Sequence, residues 1–445
     1  MSKIVIVGNG ISGISTARHI RKRSNDDIVV ISSESKYHYS RTALMYIYMG
    51  HMKEEHTQPY EAFFWKKNRI ELVHDYVTTI DYSNKSIQLK SGEKINYDKL
   101  VLAVGSKSNK FGWPGQDLKG VQGMYGLPDV NSLEAMSDQI EHAIIVGGGL
   151  IGIELCEMLL SRGKKVTFLV RENWFWQNVL PEEEARMVEK HIRSHHVDLR
   201  MEEEMDEILS DDNGHVRAVR ITSGEEIPCQ FVGLAAGVSP NVDFLKGSDL
   251  EIGRGILINQ FFETNIPDVY SIGDCAQFSE PLPGRKSVEQ VWYTGRIQGE
   301  TLAKTLTGNR SKYNPGHWFN SAKFFDIEYQ TYGAVKNSLE EHHRDFYWEA
   351  EDGLKCIHIV WDFQTGKFLG INNFGVRLRH EFFEKYLNEN KTITEVLTHI
   401  EDAGFDPEFY TNYLEQFIQR FNQKNATQIR PKRKNWSRIL KFIKH

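Results

Sequence analysis

Cysteine is scarce in this 445-residue chain. There are four, Cys156, Cys229, Cys275 and Cys356, and none is spaced as CxxC or as another metal-ligand pattern. That scarcity argues against a disulfide framework and fits a reducing cytosol. Long hydrophobic runs are missing too: no apolar stretch approaches the roughly 18 residues that cross a bilayer. No signal peptide is expected, because Met1-Ser2-Lys3 leads straight into a short apolar strand. The chain is therefore expected to be soluble and cytoplasmic, or at most peripheral at the inner face of a membrane. Charge of one sign is also lacking overall. The formal net charge of −6 says little about partners, and no nucleic-acid partner is expected. Only the stretch from Arg430 to His445 departs from this balance, with basic charges alone.

What is present is a repeat. Lys3-Ile4-Val5-Ile6-Val7 is a short apolar strand that runs into Gly8-Asn9-Gly10-Ile11-Ser12-Gly13, then a helical stretch, then the strand Ile28-Val29-Val30-Ile31. The pattern returns as His142-Ala143-Ile144-Ile145-Val146, Gly147-Gly148-Gly149-Leu150-Ile151-Gly152, a helix, and the strand Val166-Thr167-Phe168-Leu169-Val170. Both are βαβ units of the dinucleotide-binding kind. Between them, from Ile70 to Val104, apolar and polar residues alternate around the turn signals Ser83-Asn84 and Ser91-Gly92, which predicts small antiparallel strands and a return strand at 99–105. A comparable meander spans about 199–237. Beyond Tyr313 the chain is rich in aromatics and short strands, and it turns helical from about Arg379.

In a GxGxxG turn the first glycine permits the tight turn, the second lets backbone approach a pyrophosphate, and the third lets helix and strand pack closely. The phosphates rest on the unpaired N–H groups at the positive end of the helix. An acid about 20 positions on takes hydrogen bonds from a ribose. The first copy is complete, with Gly8, Gly10 and Gly13, and Glu34 at the end of the next strand. In the second, Gly147, Gly149 and Gly152 repeat the turn, but Val170 stands at the acid's position and is followed by Arg171 and Glu172. An apolar residue followed by arginine suits the 2′-phosphate of NADPH. Alternatively, Arg171 is a solvated surface charge and Glu172 binds the ribose of NADH. NADPH is placed first.

With these two fingerprints the sequence resembles the FAD-dependent pyridine nucleotide-disulfide oxidoreductase superfamily. Tyr97-Asp98-Lys99-Leu100-Val101-Leu102-Ala103-Val104-Gly105-Ser106 is similar to its YDxLVLATGS strand, with Val104 in place of threonine. Gly233-Leu234-Ala235-Ala236-Gly237-Val238-Ser239-Pro240-Asn241 resembles a second such strand, and Tyr270-Ser271-Ile272-Gly273-Asp274-Cys275-Ala276 resembles its YAIGDCA motif. The resemblance covers roughly 1–310 and is nearest to the nitrite reductase, rubredoxin reductase and ferredoxin reductase branch. It implies an α/β fold with two Rossmann-like domains and an α+β C-terminal domain. The expected boundaries are 1–115 with 240–310 for FAD, 116–239 for NAD(P), 311–430 for the C-terminal domain and 431–445 for a basic tail.

By the same resemblance, Gly8, Gly10, Ser12 and Gly13 cradle the FAD pyrophosphate, and Glu34 and Ser35 hold the adenosine ribose. Arg41 lies along FAD, the backbone of Val77 meets the adenine, and Ala103, Val104 and Gly105 line the cofactor. Asp274 binds the ribityl and phosphate groups, and Val291 and Trp292 run under the flavin. Gly147, Gly149, Leu150, Ile151, Arg171, Glu172 and Gly237 fall to NAD(P)H. Glu154, the glutamate of GGxIGxE, sits near the flavin and nicotinamide rings, so Glu154 and Trp292 are the catalytic candidates. A plainer reading makes Glu154 a structural carboxylate and Trp292 a core residue. Hydride transfer needs stacked rings and a stabilised reduced flavin rather than a general base.

Several family features are missing. The disulfide branch needs a reactive thiol in or near residues 37–50, and that stretch has none; Thr42 occupies the position of the single redox cysteine in coenzyme A disulfide reductases and NADH peroxidases. The lysine expected after the arginine motif is replaced by Leu44-Met45-Tyr46, and no His-Pro pair marks a disulfide-reductase dimer domain. Flavin electrons must therefore pass directly to an acceptor. The leading expectation is an NAD(P)H oxidoreductase that feeds a small ferredoxin-, rubredoxin- or iron–sulfur-type protein. The alternatives are a peripheral NAD(P)H:quinone reductase and a non-catalytic flavin redox sensor resembling apoptosis-inducing factor. At the C-terminus Trp436, Ile439, Leu440 and Ile443 recur at helical spacing among Arg438, Lys441 and Lys444. That pattern suits a basic amphipathic helix on a membrane or an acidic partner; alternatively it is a frayed, solvated tail.

Overall fold

The computed structural model describes residues 1–405 and 411–432. The chain divides into two compact units: Met1–Gly147 with Leu155–Val166 and Met205–Pro315, and Gly148–Glu154 with Thr167–Glu204 and Gly316–His445.

In the first unit the apolar run Lys3–Val7 becomes the middle strand of a five-stranded parallel sheet. Its neighbours are Asp27–Ser32 on one side and Lys99–Leu102 on the other, with Ile70–His74 and Val269–Ser271 at the edges. Ile4, Val5, Ile6, Leu100, Val101 and Leu102 are completely buried, as strands covered on both faces must be. The helices Ile11–Arg21 and Trp292–Leu306 pack together over this sheet so closely that a Cβ at Gly299 would stand 2.5 Å from the Ser12 carbonyl oxygen. A separate antiparallel sheet joins Val77–Asp81, Ser86–Leu89 and Lys94–Asn96.

One expectation is corrected here. The alternating stretch predicted as antiparallel from Ile70 onward begins that way only at Val77, because Ile70–His74 instead pairs parallel with Asp27–Ser32. As an edge strand it buries Ile70 and leaves Glu71 and His74 exposed, so its pattern imitates a half-solvated antiparallel strand. The second glycine repeat starts from His142–Val146, which pairs parallel with Phe231–Leu234; that strand in turn pairs with Val121–Gln122.

In the second unit Thr167–Val170 pairs parallel with Asp198–Met201, and the helix Glu182–Ser194 lies between them in sequence. The C-terminal portion is a five-stranded antiparallel sheet in the order Phe319–Phe324, Ile327–Gly333, Phe368–Phe374, Cys356–Asp362, His343–Glu349. Three helices, His380–Asn388, Ile393–His399 and Leu414–Asn425, contribute Phe383, Val396, Leu397 and Phe417 to a core with Phe346, Trp348 and Ile359. Each such buried aromatic or aliphatic side chain contributes roughly 1.5–3 kcal/mol. The architecture is thus α/β, with Rossmann-like parallel sheets and an α+β C-terminal part. Among the described residues no helix is long and apolar enough to cross a membrane. The amphipathic pattern expected at 436–444 lies outside the described residues.

Candidate functional site

The first glycine turn is shaped by two close approaches and one opening. Gly8 sits at φ +113, and a Cβ there would come within 2.0 Å of the Ala103 carbonyl oxygen. A Cβ on Gly13 would meet the Gly8 carbonyl oxygen at the same distance, so both glycines are required by packing of strand against helix. Gly10 differs: nothing lies within 4 Å of the place its Cβ would take, although its φ of −66° admits any residue. Gly10 is the N-cap of the helix Ile11–Arg21 and makes no side-chain cap hydrogen bond. The helix thus presents its positive end beside clear space, which is what a pyrophosphate requires.

The turn is tied to the end of the next strand. Asn9 Nδ2 donates to the Ser35 carbonyl oxygen at 2.8 Å, and the Asn9 carbonyl oxygen lies 2.8 Å from His38 Nδ1. Glu34 follows as expected, but its carboxylate is already engaged. Arg41 Nη2 donates to it at 2.7 Å, the Leu127 amide at 3.1 Å, and the Tyr39 hydroxyl donates as well. Burial alone would raise this carboxyl; the Arg41, Tyr39 and Leu127 hydrogen bonds together with the Arg41 charge hold it below the usual carboxylate range. Gly126 allows the approach, since a Cβ there would fall 2.3 Å from a Glu34 oxygen. An open cavity of about 310 Å3 lies beside Glu34 and Ser35, lined also by His74, Leu127 and Asn131.

Further along the same turn, Ser12 Oγ faces two glycines from distant segments. A Cβ at Gly273 would stand 2.4 Å from it and one at Gly295 2.5 Å. This contact brings Asp274 and the start of the helix capped by Val291 and led by Trp292 to the first turn. Asp274 is joined to Tyr125 Oη at 3.3 Å, and that oxygen accepts the Ser106 amide at 2.8 Å beside Gly105. Burial pushes the Asp274 carboxyl up, against hydrogen bonds from Ser106 and Tyr125 and the charge of Arg41. Gly8, Gly10, Ser12, Gly13, Ala103, Val104, Gly105, Asp274, Val291 and Trp292 are therefore neighbours, as are Glu34, Ser35 and Arg41 near the cavity. Val77 is buried among Val29, Ile31 and Leu89, and its side chain belongs to the core. Tyr125 and Gln290 were not anticipated. The Tyr125 ring also lies 4.5 Å under the Arg41 guanidinium, and Gln290 Nε2 donates to Ser106 Oγ at 2.7 Å. No local motif marks either residue.

The second turn repeats the logic. Gly147 has φ +115, and a Cβ there would crowd the Ala235 carbonyl at 2.6 Å. Gly149 again has nothing within 4 Å. A Cβ on Gly148 would strike the Val170 side chain at 2.5 Å, so the apolar residue at the acid's position packs on the turn itself. Arg171 is 68% exposed and, among the described residues, pairs with its neighbour Glu172 at 3.2 Å. Leu150, Ile151 and Glu154 lie half-buried in the first turns of the following helix, and Gly237 stands at φ +83 after the strand Phe231–Leu234.

All four cysteines are free and buried. Burial pushes the Cys229 thiol up to about 12 and the other three upward as well. Thr42 is exposed and shares a 3.1 Å hydrogen bond with Ser40.

Residues 2–299 match the family model described as pyridine nucleotide-disulphide oxidoreductase. The chain belongs to that family. The oxidoreductase is 28% identical over 356 residues to nitrite reductase [NAD(P)H] of Bacillus subtilis, covering 79% of this chain but only 43% of that protein. It is 30% identical over 338 residues to the ferredoxin reductase subunit of 5,5′-dehydrodivanillate O-demethylase from Sphingobium sp., covering 74% of this chain and 81% of the relative. Among solved structures it resembles the NADH:rubredoxin oxidoreductase of Clostridium acetobutylicum, with a TM-score of 0.68, 26% identity, and coverage of 88% and 96% of the two chains. The two cofactors of this oxidoreductase family are FAD and NAD(P)H, and both glycine turns fit dinucleotides. Each keeps space at its second glycine and fills it at its first.

Proposed function

We propose that this FAD-dependent oxidoreductase accepts a hydride from NAD(P)H and delivers the electrons singly to a small ferredoxin- or rubredoxin-type protein. The observation that carries the reading is the pairing of two open dinucleotide turns with four buried thiols. FAD, when bound, supplies the switch from two-electron to one-electron chemistry; the chain supplies position and electrostatics. Gly10 and the helix behind it would receive the pyrophosphate, Asp274 and Tyr125 the ribityl end, and Glu34 the ribose. For the last of these, the Glu34–Arg41 pair would have to share its hydrogen bonds with the ribose hydroxyls. Trp292 would border the flavin, and Glu154 would orient the nicotinamide.

The relatives named for ferredoxin and rubredoxin support a protein acceptor. Val170 on Gly148 and the solvent-facing Arg171 support NADPH over NADH. Buried, unoxidised cysteines support a cytoplasmic setting.

Anaerobic stopped-flow absorbance tests the proposal. Mixing the FAD-loaded protein with NADPH should bleach the flavin in one exponential step, and adding an oxidised ferredoxin or rubredoxin should restore it within a turnover. Protein that takes up no FAD, or reduced flavin that neither carrier reoxidises, would overturn the reading. Faster reoxidation by a soluble quinone than by either carrier would replace the acceptor. Liposome co-sedimentation of the full chain and of a chain ending at Ile429 decides whether the basic terminus holds it at a membrane.

A further inference from the structure

The helix Glu182–Ser194 ends beside a cluster that neither dinucleotide turn uses. His191 and His195 are four residues apart, so their rings share one helix face. The turn between the strands Phe319–Phe324 and Ile327–Gly333 brings Asp326 to the same point. His191 Nε2 lies 2.6 Å from Asp326 Oδ1 and 3.3 Å from His195 Nε2, and His195 Nε2 lies 3.5 Å from Asp326 Oδ1.

Hydrogen bonds account for two of these three approaches but not for the set. If both imidazoles donate an Nε2 proton to Asp326, which has lone pairs for two, the two ring nitrogens face each other at 3.3 Å as like donors; if His195 accepts from His191 instead, its lone pair also faces the carboxylate. A cation between the three atoms satisfies all of them together. Two imidazole nitrogens and one carboxylate oxygen, each about 2.0–2.1 Å from a tetrahedral metal, stand about 3.3–3.4 Å apart. Two of the observed edges, at 3.3 and 3.5 Å, are close to that length, and the His191–Asp326 edge at 2.6 Å has to open.

The surroundings hold the ligands in place. The Phe325 ring stacks on His195 at 4.2 Å and 6°, which fixes the plane of the more exposed imidazole. Phe325 does so from φ +55, in a two-residue turn where glycine or asparagine is the ordinary choice. The turn thus gives up its favoured residue for one that presents Asp326 and braces His195. His191 is buried and cannot swing away.

We infer that His191, His195 and Asp326 form a binding site for a borderline divalent cation of the zinc class, with a fourth position open to water. Two nitrogens and one carboxylate oxygen favour Zn2+ over Mg2+ or Ca2+, which prefer all-oxygen shells. Asp326 and His195 are 71% and 38% exposed, so the ion reaches the site and its open position from solvent. Its effect is to fasten the end of the helix to the first hairpin of the C-terminal sheet.

The test uses the FAD-loaded full chain, stripped with a chelator and titrated with ZnCl2 by calorimetry. The wild type should take up one saturable equivalent that raises its melting temperature. H195A and D326N, both changed at solvent-facing groups, should bind about tenfold more weakly or worse and lose the thermal shift. Their flavin content and flavin reduction should match the wild type, which shows that the fold is kept. The buried thiols do not compete for the ion. No saturable equivalent in the wild type, or binding that both variants leave unchanged, would overturn the site.

Discussion

At the scale of single residues, the glycines of the first turn separate folding from binding. Gly13→Ala drives a Cβ into a backbone oxygen, which cannot move aside as a flexible side chain would. It should cost roughly 1–3 kcal/mol of stability, read as a lower melting temperature with or without FAD. Gly10→Ala meets open space at an ordinary φ. It should leave the melting temperature of the flavin-free protein unchanged while weakening FAD about tenfold or more, about 1.4 kcal/mol, measured by flavin fluorescence. Equal effects from the two substitutions would show that Gly10 is not where the cofactor lies. Arg171 makes a second contrast. Its exposed pair with Glu172 is worth little, so turning toward a 2′-phosphate costs little. Arg171→Ala should lower kcat/KM for NADPH about tenfold, about 1.4 kcal/mol, and leave NADH turnover alone; parallel losses would assign Arg171 no part in the choice.

Residues named by a local motif and residues named only by the fold differ in how they are found. Gly8, Gly10, Gly13 and Glu34 lie within one βαβ unit, so their spacing along the chain is also their spacing in space. Tyr125 meets Asp274 across 149 positions and Arg41 across 84. Nothing next to it in the sequence records either meeting. The engagement of Glu34 by Arg41 and Tyr39 was hidden for a related reason: the acid's position was legible, its partners were not.

At the scale of elements, the strands buried on both faces were the easiest to read, because burial on both sides writes a continuous apolar run. The edge strand Ile70–His74 was misread because solvent on one face writes alternation. The C-terminal sheet was visible only as aromatic short strands; its order depends on pairings such as Ile359 with Phe346 and Ile371, which no turn signal states.

One contact inside the second unit predicts a pH response. His358, on the strand Cys356–Asp362, lies 2.9 Å from Glu184 on the helix Glu182–Ser194 and 2.7 Å from Asp345 on the neighbouring strand. Burial would lower this imidazole, but the Asp345 and Glu184 hydrogen bonds and charges outweigh it and push it up to about 9. A histidine raised on folding stabilises fully below its unfolded value of about 6.5 and loses that contribution as pH climbs through its folded value. The melting temperature should therefore fall between pH 7 and about 9.5. In His358→Gln that slope should vanish, since no proton is left to lose; an unchanged slope would place the response elsewhere.

At the scale of the whole molecule, the burial of all four sulfurs bears on the proposed electron path. Native protein should react with no more than a trace of a thiol-titrating disulfide reagent, and unfolded protein should reveal all four cysteines. Alkylating agents should leave NAD(P)H-driven flavin reduction intact. A single fast-reacting thiol whose modification stops turnover would restore a sulfur relay to the mechanism.

The same burial has a consequence under chemical stress. Hydrogen peroxide converts accessible thiolates stepwise to sulfenic and sulfinic acids and so silences enzymes that work through them. Cys275 stands next to Asp274, yet its sulfur is enclosed by the Leu102 and Ile272 carbonyls and Ser271, out of reach of such an oxidant. An enzyme built this way should go on delivering reducing equivalents through a peroxide burst that halts enzymes working through an exposed thiolate.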